Sequence, residues 1–173
     1  MDKAHNTSNA LVATTEFIPP VAVLFEDDKL VGEYQSIAEA YNAARTGSTS
    51  PSTIIVCQDN TMTAQLTIAA NKNIILDLNG KRINATSSGN VINNNGNLEI
   101  RDSIGGGILT NTNSNTNTIL NNKTLKIVGG TIETINDTQR KQNGCTVYNA
   151  NAGTIEITGG KLFVRHLSTT SAA

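Results

Sequence analysis

The sequence predicts an all-β fold, a coiled β-solenoid, because one short pattern recurs along most of the chain. The recurring segments are 74–83, 98–102, 125–132 and 155–162, and their first residues lie 24, 27 and 30 positions apart. Repeats of this length are typical of solenoids, in which each unit buries its apolar face only against its neighbours. A second apolar column keeps step with the first: Ile68, Ile92, Ile119 and Val147. Each repeat therefore holds short strands at fixed places.

The extra length of the later repeats falls in one connection. Nine residues separate Ile83 from Ile92, eleven separate Ile108 from Ile119, and fifteen separate Ile132 from Val147. We therefore expect one corner of the coil to lengthen while the strands stay in register.

Composition agrees with a narrow core and excludes several classes of function. The 173 residues suit one domain, and 38% are hydrophobic but only 3% are aromatic, with no Trp. The net charge of -1 and the absence of a basic run argue against nucleic-acid binding. No segment reaches the roughly 18 consecutive apolar residues of a membrane span, so we expect no membrane insertion. No secretory signal is visible either.

The N-terminal third reads as an arm, a hairpin and a helix. Residues 1–18 are polar and aperiodic, and 21–25 and 30–34 are strand candidates around a turn, so 1–33 is assigned as arm and hairpin. Residues 34–50 are assigned as a capping helix and turn, with the helix at 36–45. Ser36 and Glu39 have the spacing of a capping box, and Gly47 is placed to end the helix in a left-handed conformation. We expect the helix to cover the first coil, whose bare strand edges would otherwise invite aggregation.

Residues 51–173 are assigned to the solenoid. Alternation predicts an inward set and an outward set on the repeated strand. The inward set is Ile74, Leu76, Leu98, Ile100, Leu125, Ile127, Ile155 and Ile157, and the outward set is Ile75, Glu99, Lys126, Glu156, Asp77, Arg101, Val128 and Thr158. In the outward set we expect charge pairing along Glu99, Lys126 and Glu156, and between Asp77 and Arg101.

Glycines and asparagines mark the corners. Glycine clusters occur at 80, 105–107, 129–130 and 159–160, where a corner needs positive φ or a close backbone approach. Asparagines at 93–95, 121–122, 149 and 151 mark other corners. They tolerate the left-handed region, and their amides can bond to the copies above and below.

The chain offers little for catalysis, and we expect no enzyme activity, cofactor or metal site. His5 and His166 lie at opposite ends of the sequence, and Cys57 and Cys145 are expected to be free thiols. Gly105–Gly107 lacks the Lys and Ser/Thr of a phosphate loop. Glu99 and Glu156 could stand near the 5 to 9.5 Å separation of glycosidase carboxylates, but Lys126 between them indicates a charge ladder.

Residues 110–118 alternate threonine with asparagine and serine. A polar, flexible corner loop is the simpler interpretation. The alternative is a sugar-binding rim, since amides and hydroxyls match the donors and acceptors of glycans. The candidate contacts of that rim are Asn111, Asn113, Asn115 and Asn117.

The segments 76–83 and 96–100, the repeats 125–132 and 155–162, and the helix at 34–44 resemble right-handed parallel β-helices of the pectate-lyase-like superfamily. The resemblance covers about residues 34–164 and implies about four coils. Repeats of this simple kind resemble those of bacteriophage tail-spike and tail- or head-fibre proteins. No match to the enzymes' Asp, Arg or His motifs is found.

The resemblance implies a structural or adhesive virion appendage that recognises host-surface glycans. It also implies a virion location after synthesis in the host cytoplasm, and docking on other virion proteins through residues 1–33. A homotrimer is expected, and the last coil, around Lys161–Val164, should be covered in the working protein. The alternatives are a bacterial cell-surface adhesin domain and a carbohydrate-cleaving spike.

Overall fold

The computed structural model describes residues 16–113, 115–137, 144–150 and 152–167, without the side chains of 136, 137, 166 and 167. Within these ranges it confirms the predicted fold class, because the chain forms about four coils of parallel β-solenoid with one short helix. The right-handed winding stays a prediction. His5 and most of the predicted arm, Asn151 and the tail after Leu167 lie outside the described residues.

The described chain begins with β1 (Ala22–Glu26), β2 (Lys29–Tyr34) and α1 (Ile37–Ala43). The first coil contains β3 (Ser52–Val56), β4 (Asn60–Met62) and β5 (Leu66–Ile68). The second contains β6 (Asn73–Asp77), β7 (Arg82–Ala85) and β8 (Ile92–Asn94). The third contains β9 (Asn97–Arg101), β10 (Ile108–Asn111) and β11 (Ile119–Asn121). The fourth contains β12 (Thr124–Ile127), β13 (Thr131–Asp137) and β14 (Val147–Asn149), and a fifth coil begins with β15 (Thr154–Ile157) and β16 (Lys161–Leu167).

Strands at the same position in successive coils pair in parallel and form three sheets. Sheet A contains β3, β6, β9, β12 and β15, sheet B contains β4, β7, β10, β13 and β16, and sheet C contains β5, β8, β11 and β14. The connections from sheet B to sheet C lengthen along the chain, as predicted. Most of the length difference falls at this corner, although the connection from sheet A to sheet B is also longer in the third coil, between Arg101 and Ile108. The strands keep their register.

The register corrects two members of the predicted columns. Leu66, not Ile68, pairs with Ile92, and Ile68 pairs with Asn94. Leu109, not Ile108, pairs with Ile83 and is fully buried. The first shift is two residues and the second is one residue. A sequence pattern does not reveal such shifts, because the length of the corner between two strands is not known in advance.

The core is a stack of aliphatic side chains, as the inward set predicts. Six of the eight predicted inward residues are buried: Ile74, Leu76, Leu98, Ile100, Leu125 and Ile127. Ile155 is half-buried and Ile157 is exposed, because no described strand lies beyond β15 in sheet A. Each fully buried leucine or isoleucine contributes about 1.5–3 kcal/mol relative to an exposed one.

Asp77 keeps its predicted place in the outward set, opposite Arg101, but its carboxylate is not exposed. Its side chain is buried, and Oδ1 accepts hydrogen bonds from the backbone N–H of Asn79 at 2.9 Å and of Ser103 at 3.0 Å. The expected pairing with Arg101 is present, with 3.5 Å between Arg101 Nε and Asp77 Oδ2. The carboxylate is buried because it accepts hydrogen bonds from backbone groups of the corner after its own strand.

An asparagine ladder joins the coils at the corner between sheets C and A. Asn94 Nδ2 donates to Asn121 Oδ1 at 2.8 Å, and Asn121 Nδ2 donates to Asn149 Oδ1 at 2.7 Å. Next to this ladder, Asn122 Nδ2 donates to the side-chain oxygens of Asn93 and Asn95 in the preceding coil. The predicted bonding between copies is confirmed, but none of these residues has a positive φ. The asparagines are therefore explained by their amides and not by left-handed backbone.

Glycine is required at the corner between sheets A and B. A Cβ on Gly130, whose φ is 80°, would lie 2.6 Å from Leu78 Cδ1. A Cβ on Gly107 would lie 2.6 Å from Leu78 Cβ and 2.8 Å from Asp102 Oδ1. These two positions have no room for a side chain. Gly105 and Gly106 have open space around them, and their φ values of 91° and 85° are what favours glycine there.

The N-terminal end of the solenoid is covered by the hairpin and the helix together. The strand β1 pairs antiparallel with both β2 and β3, so the hairpin extends sheet A. Ala22 and Leu24 are fully buried there. The predicted arm and hairpin at 1–33 therefore includes an integral strand of the folded domain.

The helix α1 begins as predicted and ends differently. The Ser36 side chain accepts a hydrogen bond from the Glu39 N–H at 3.1 Å, and the apolar residues Ile37, Ala40 and Tyr41 are buried. Its C-cap is Ala44 in an extended conformation, whereas Gly47 has a positive φ but lies beyond the helix end. The cause is Lys72, whose buried Nζ donates to the carbonyl oxygens of Tyr41 at 2.6 Å and Ala44 at 2.7 Å. A cation supplied by the first coil thus satisfies the terminal carbonyls of the helix.

Candidate functional site

The predicted glycan rim lies in the connection from β10 to β11, at the corner between sheets B and C. Asn111 is buried, and its Nδ2 donates to the Thr116 carbonyl at 2.9 Å while its Oδ1 accepts from the Asn113 N–H at 2.8 Å. This side chain folds the loop onto itself. A buried amide with internal partners on both ends cannot contact an external sugar.

Asn113 and Asn117 join the loop to the neighbouring coils. Asn113 Nδ2 donates to the Ser87 carbonyl at 3.0 Å. Asn117 Oδ1 accepts from the Cys145 N–H at 3.1 Å and lies 3.0 Å from Cys145 Sγ. Asn115 is exposed, and its side chain has no partner among the described residues. Of the four predicted rim residues, Asn115 alone presents its whole amide to solvent.

The outer face of sheet B carries a row of polar side chains that the sequence did not indicate. Arg82 Nη1 donates to Thr110 Oγ1 at 3.2 Å, and Thr110 Oγ1 donates to Glu133 Oε2 at 3.3 Å. Arg165 Nη2 lies 2.7 Å from Glu133 Oε1. Glu133 is only 2% exposed. Its carboxylate is thus held by an arginine and a threonine, an arrangement that fixes neighbouring coils rather than leaving an acid free for proton transfer.

The carboxylate of Asp102 also serves the backbone. Its two oxygens accept from the Gly80 N–H and the Gly107 N–H, each at 2.7 Å. Together with Asp77 it anchors the corner between sheets A and B. Of the predicted charge ladder, Lys126 lies 3.8 Å from Glu156, whereas Glu99 forms no ion pair with a described residue.

The thiols and the ionisable clusters give no separate reactive centre in the described ranges. Cys57 and Cys145 are free and half-buried, as expected, and burial raises the pKa of both thiols. A raised pKa lowers the thiolate fraction and therefore the nucleophilicity. Within the ranges given above, no group of three or more His, Cys, Asp or Glu is arranged to hold a metal. The described helix is also too short to cross a membrane.

A groove on the outer face of sheet A was missed from the sequence. It has a volume of about 330 Å³, comparable with the recess of about 310 Å³ at the glycine corner, and its lining includes Phe25, Asp28, Thr53, Ile75 and Arg101. Phe25 and Arg101 are distant in sequence and line one groove only because β1 joins the sheet. The pairing of the hairpin with the first coil was the missing information.

The last coil leaves core positions open to solvent. Ile157, Leu162 and Val164 are 51%, 42% and 43% exposed, although their partners in the preceding coil, Ile127, Ile132 and Thr134, are buried. Phe163 and Tyr148 are also exposed. This end is the main apolar surface of the described solenoid.

Comparisons with protein-family models, curated proteins and solved structures give no match to this chain. The assignment of the fold therefore rests on the coil geometry itself.

Proposed function

We propose that the chain is a structural and adhesive component of a virion appendage, a phage tail or head fibre or spike, that presents its solenoid surface to host glycans. The observation that carries the proposal is the contrast between the two ends of the solenoid. One end is covered by β1, β2 and α1, and the other leaves Ile157, Leu162 and Val164 exposed. A stiff module with one closed end and one adhesive end suits a part that is built into a longer assembly.

The segment before β1 is the proposed contact to another virion protein. Phe17 and Ile18 are 81% and 67% exposed. Gln58 Nε2 donates to the carbonyls of Pro19 at 2.8 Å and Pro20 at 3.0 Å, which fixes the end of the segment against the first coil. Two exposed apolar side chains on an anchored, proline-stiffened stretch favour docking on a partner surface.

The open end supports a homo-oligomer, for which a trimer is the proposed state. Unpaired strand edges and exposed aliphatic side chains favour association, and neighbouring copies of the same chain can cover them. The protein would then reside in the virion after synthesis in the host cytoplasm.

Labelling of native particles tests the proposed location. An antibody raised against the 173-residue chain is applied to phage particles and to cell envelopes from the source, and gold labels are located by electron microscopy. Labelling of the particle's tail or head appendages is the expected result. Labelling confined to the cell envelope would contradict it and support a cell-surface adhesin.

A paired assay tests the adhesive role against cleavage. The purified protein is applied to an array of bacterial surface glycans, and glycans that bind are incubated with it and assayed for new reducing ends. Binding without release of reducing ends is expected. Release that exceeds the buffer control would contradict the adhesive role and indicate a carbohydrate-cleaving spike.

A further inference from the structure

The groove on the outer face of sheet A combines side chains from three separate parts of the chain. The ring of Phe25 comes from β1, Asp28 from the hairpin turn, and Arg101 from β9. Thr53 and Ile75 lie between them, and the register aligns both with Phe25 in one outward column. The groove has a volume of about 330 Å³, at the lower end of the ~300–1,000 Å³ of small-molecule sites.

The groove extends along the direction in which the strands pair. Phe25 and Arg101 stand on β1 and β9, and β3 and β6 lie between these strands. Three inter-strand spacings of about 4.8 Å give a length of about 14 Å. A short run of linked sugar rings can lie along such a surface.

The hairpin turn holds Asp28 at one end of the groove. Asp27 and Asp28 have φ values of 49° and 62°, a left-handed turn that usually contains glycine or asparagine. Arg45 holds the turn by two hydrogen bonds to Asp27, at 2.7 and 2.9 Å, and thereby lowers the pKa of Asp27. The carboxylate of Asp28 is exposed and has no hydrogen-bond or ion-pair partner among the described residues. The turn thus combines a strained backbone at Asp27 and Asp28 with a carboxylate, that of Asp28, which is free to accept hydrogen bonds.

Arg101 supplies donors at the other end. Its Nε is buried, lies 3.5 Å from Asp77 Oδ2 and has no hydrogen-bond partner in the described chain. Asp77 is itself held by two backbone N–H groups. The guanidinium therefore has a fixed counter-ion and retains N–H groups for a ligand in the groove.

We propose that this groove binds an uncharged saccharide segment of a host-surface glycan. The face of an aromatic ring attracts the weakly positive C–H groups of a sugar ring. The Asp28 carboxylate accepts hydrogen bonds from sugar hydroxyls, and the Arg101 guanidinium donates to sugar oxygens. Charges of opposite sign at the two ends disfavour a uniformly anionic or cationic ligand. The inference rests on the proposed adhesive function and assigns its contact surface to sheet A instead of the asparagine rim.

The test measures binding to a glycan array of neutral hexose and N-acetylhexosamine oligosaccharides, with polyuronate oligosaccharides as the anionic comparison. The variants are Asp28→Asn and Arg101→Gln. Asparagine tolerates the left-handed backbone of the turn, so Asp28→Asn removes the charge without disturbing the fold. Glu156→Gln is the matched control, because Glu156 is an exposed carboxylate on the same face of sheet A, lies on β15 two strands beyond β9, and does not line the groove.

The expected result is binding of neutral oligosaccharides by the unmodified protein and by Glu156→Gln, with at least a tenfold weaker affinity in Asp28→Asn and Arg101→Gln. Unchanged affinity in both groove variants would overturn the groove assignment and leave the adhesive function standing. Tighter binding of polyuronates would overturn the proposed ligand class. A complete lack of glycan binding would overturn both the groove and the adhesive function, while labelling of particles still decides the structural role.

Discussion

At the scale of single residues, the fold depends on polar side chains that repeat from coil to coil and form hydrogen bonds with one another. Asn121 accepts from Asn94 and donates to Asn149 and to the Thr154 carbonyl at 3.0 Å. It is fully buried. The loss of such a residue leaves partners in two neighbouring coils without a bond, and each unsatisfied buried group costs about 1–3 kcal/mol.

Replacement of the middle residue of the ladder tests this role. We expect Asn121→Ala to lower the free energy of unfolding by about 2–4 kcal/mol, since Asn94 Nδ2 and Asn149 Oδ1 both lose a partner. Denaturation in urea gives the value. Asn115→Ala, on the exposed part of the rim, should change it by less than about 0.5 kcal/mol. Equal effects of the two substitutions would contradict the ladder.

The inward and outward positions of one strand give a second test at this scale. Ile100→Asp places an unpaired charge in a fully buried column, which costs several kcal/mol, comparable with the whole stability of a domain. We expect no folded protein. The adjacent outward change, Glu99→Ala, should cost under about 1 kcal/mol. A soluble Ile100→Asp protein with an unchanged melting temperature would refute the inward assignment.

At the scale of elements, the hairpin and the helix form one cover for the first coil. The helix was predictable because its capping residue and apolar spacing are local signals. The pairing of β1 with β3 was not, because a hairpin candidate carries no information about which strand lies beside it. The burial of Ala22 and Leu24 indicates that the solenoid needs β1 in order to fold.

Two truncations test whether the solenoid needs the hairpin in order to fold. Deletion of residues 1–33 removes β1 and uncovers the edge of β3, so we expect aggregation or loss of the cooperative unfolding transition. Deletion of residues 1–15 retains the hairpin and should leave the melting temperature within a few degrees. Size-exclusion chromatography and circular dichroism measure both outcomes. A monomeric and cooperatively folded chain without residues 1–33 would show that the hairpin is dispensable.

At the scale of the whole molecule, the repeat in the sequence was sufficient to predict the fold class, the position of the lengthening corner and the aliphatic core. It could not predict side-chain use at the corners. Asp77 and Asn111 look like exposed polar residues, yet they are buried, because each accepts a hydrogen bond from a backbone N–H in a loop whose shape the sequence does not specify. The groove required the register between β1 and β3, which no local pattern specifies.

The open end of the solenoid predicts self-association. We expect light scattering of the purified chain to give an oligomer, a trimer in the proposed state, and Leu162→Ser with Val164→Ser to shift it towards monomer. These side chains are already partly exposed, so the substitutions should not unfold the coil. Ile104→Ser removes an exposed apolar residue at another corner and serves as the control. A strictly monomeric unmodified chain at high concentration would contradict the prediction.

The stacking of four coils in register is the claim on which the others depend, and distances between spin labels measure it directly. Outward residues Thr53, Ile75 and Glu156 occupy the same column of sheet A, with Glu99 and Lys126 between the last two. With Cys57 and Cys145 replaced by serine, labels at 53 and 156 should report backbones four spacings apart, about 19 Å. Labels at 75 and 156 should give a distance shorter by about 5 Å. Two narrow distributions that differ by one spacing are predicted, and broad distributions or a reversed order would contradict the coil register.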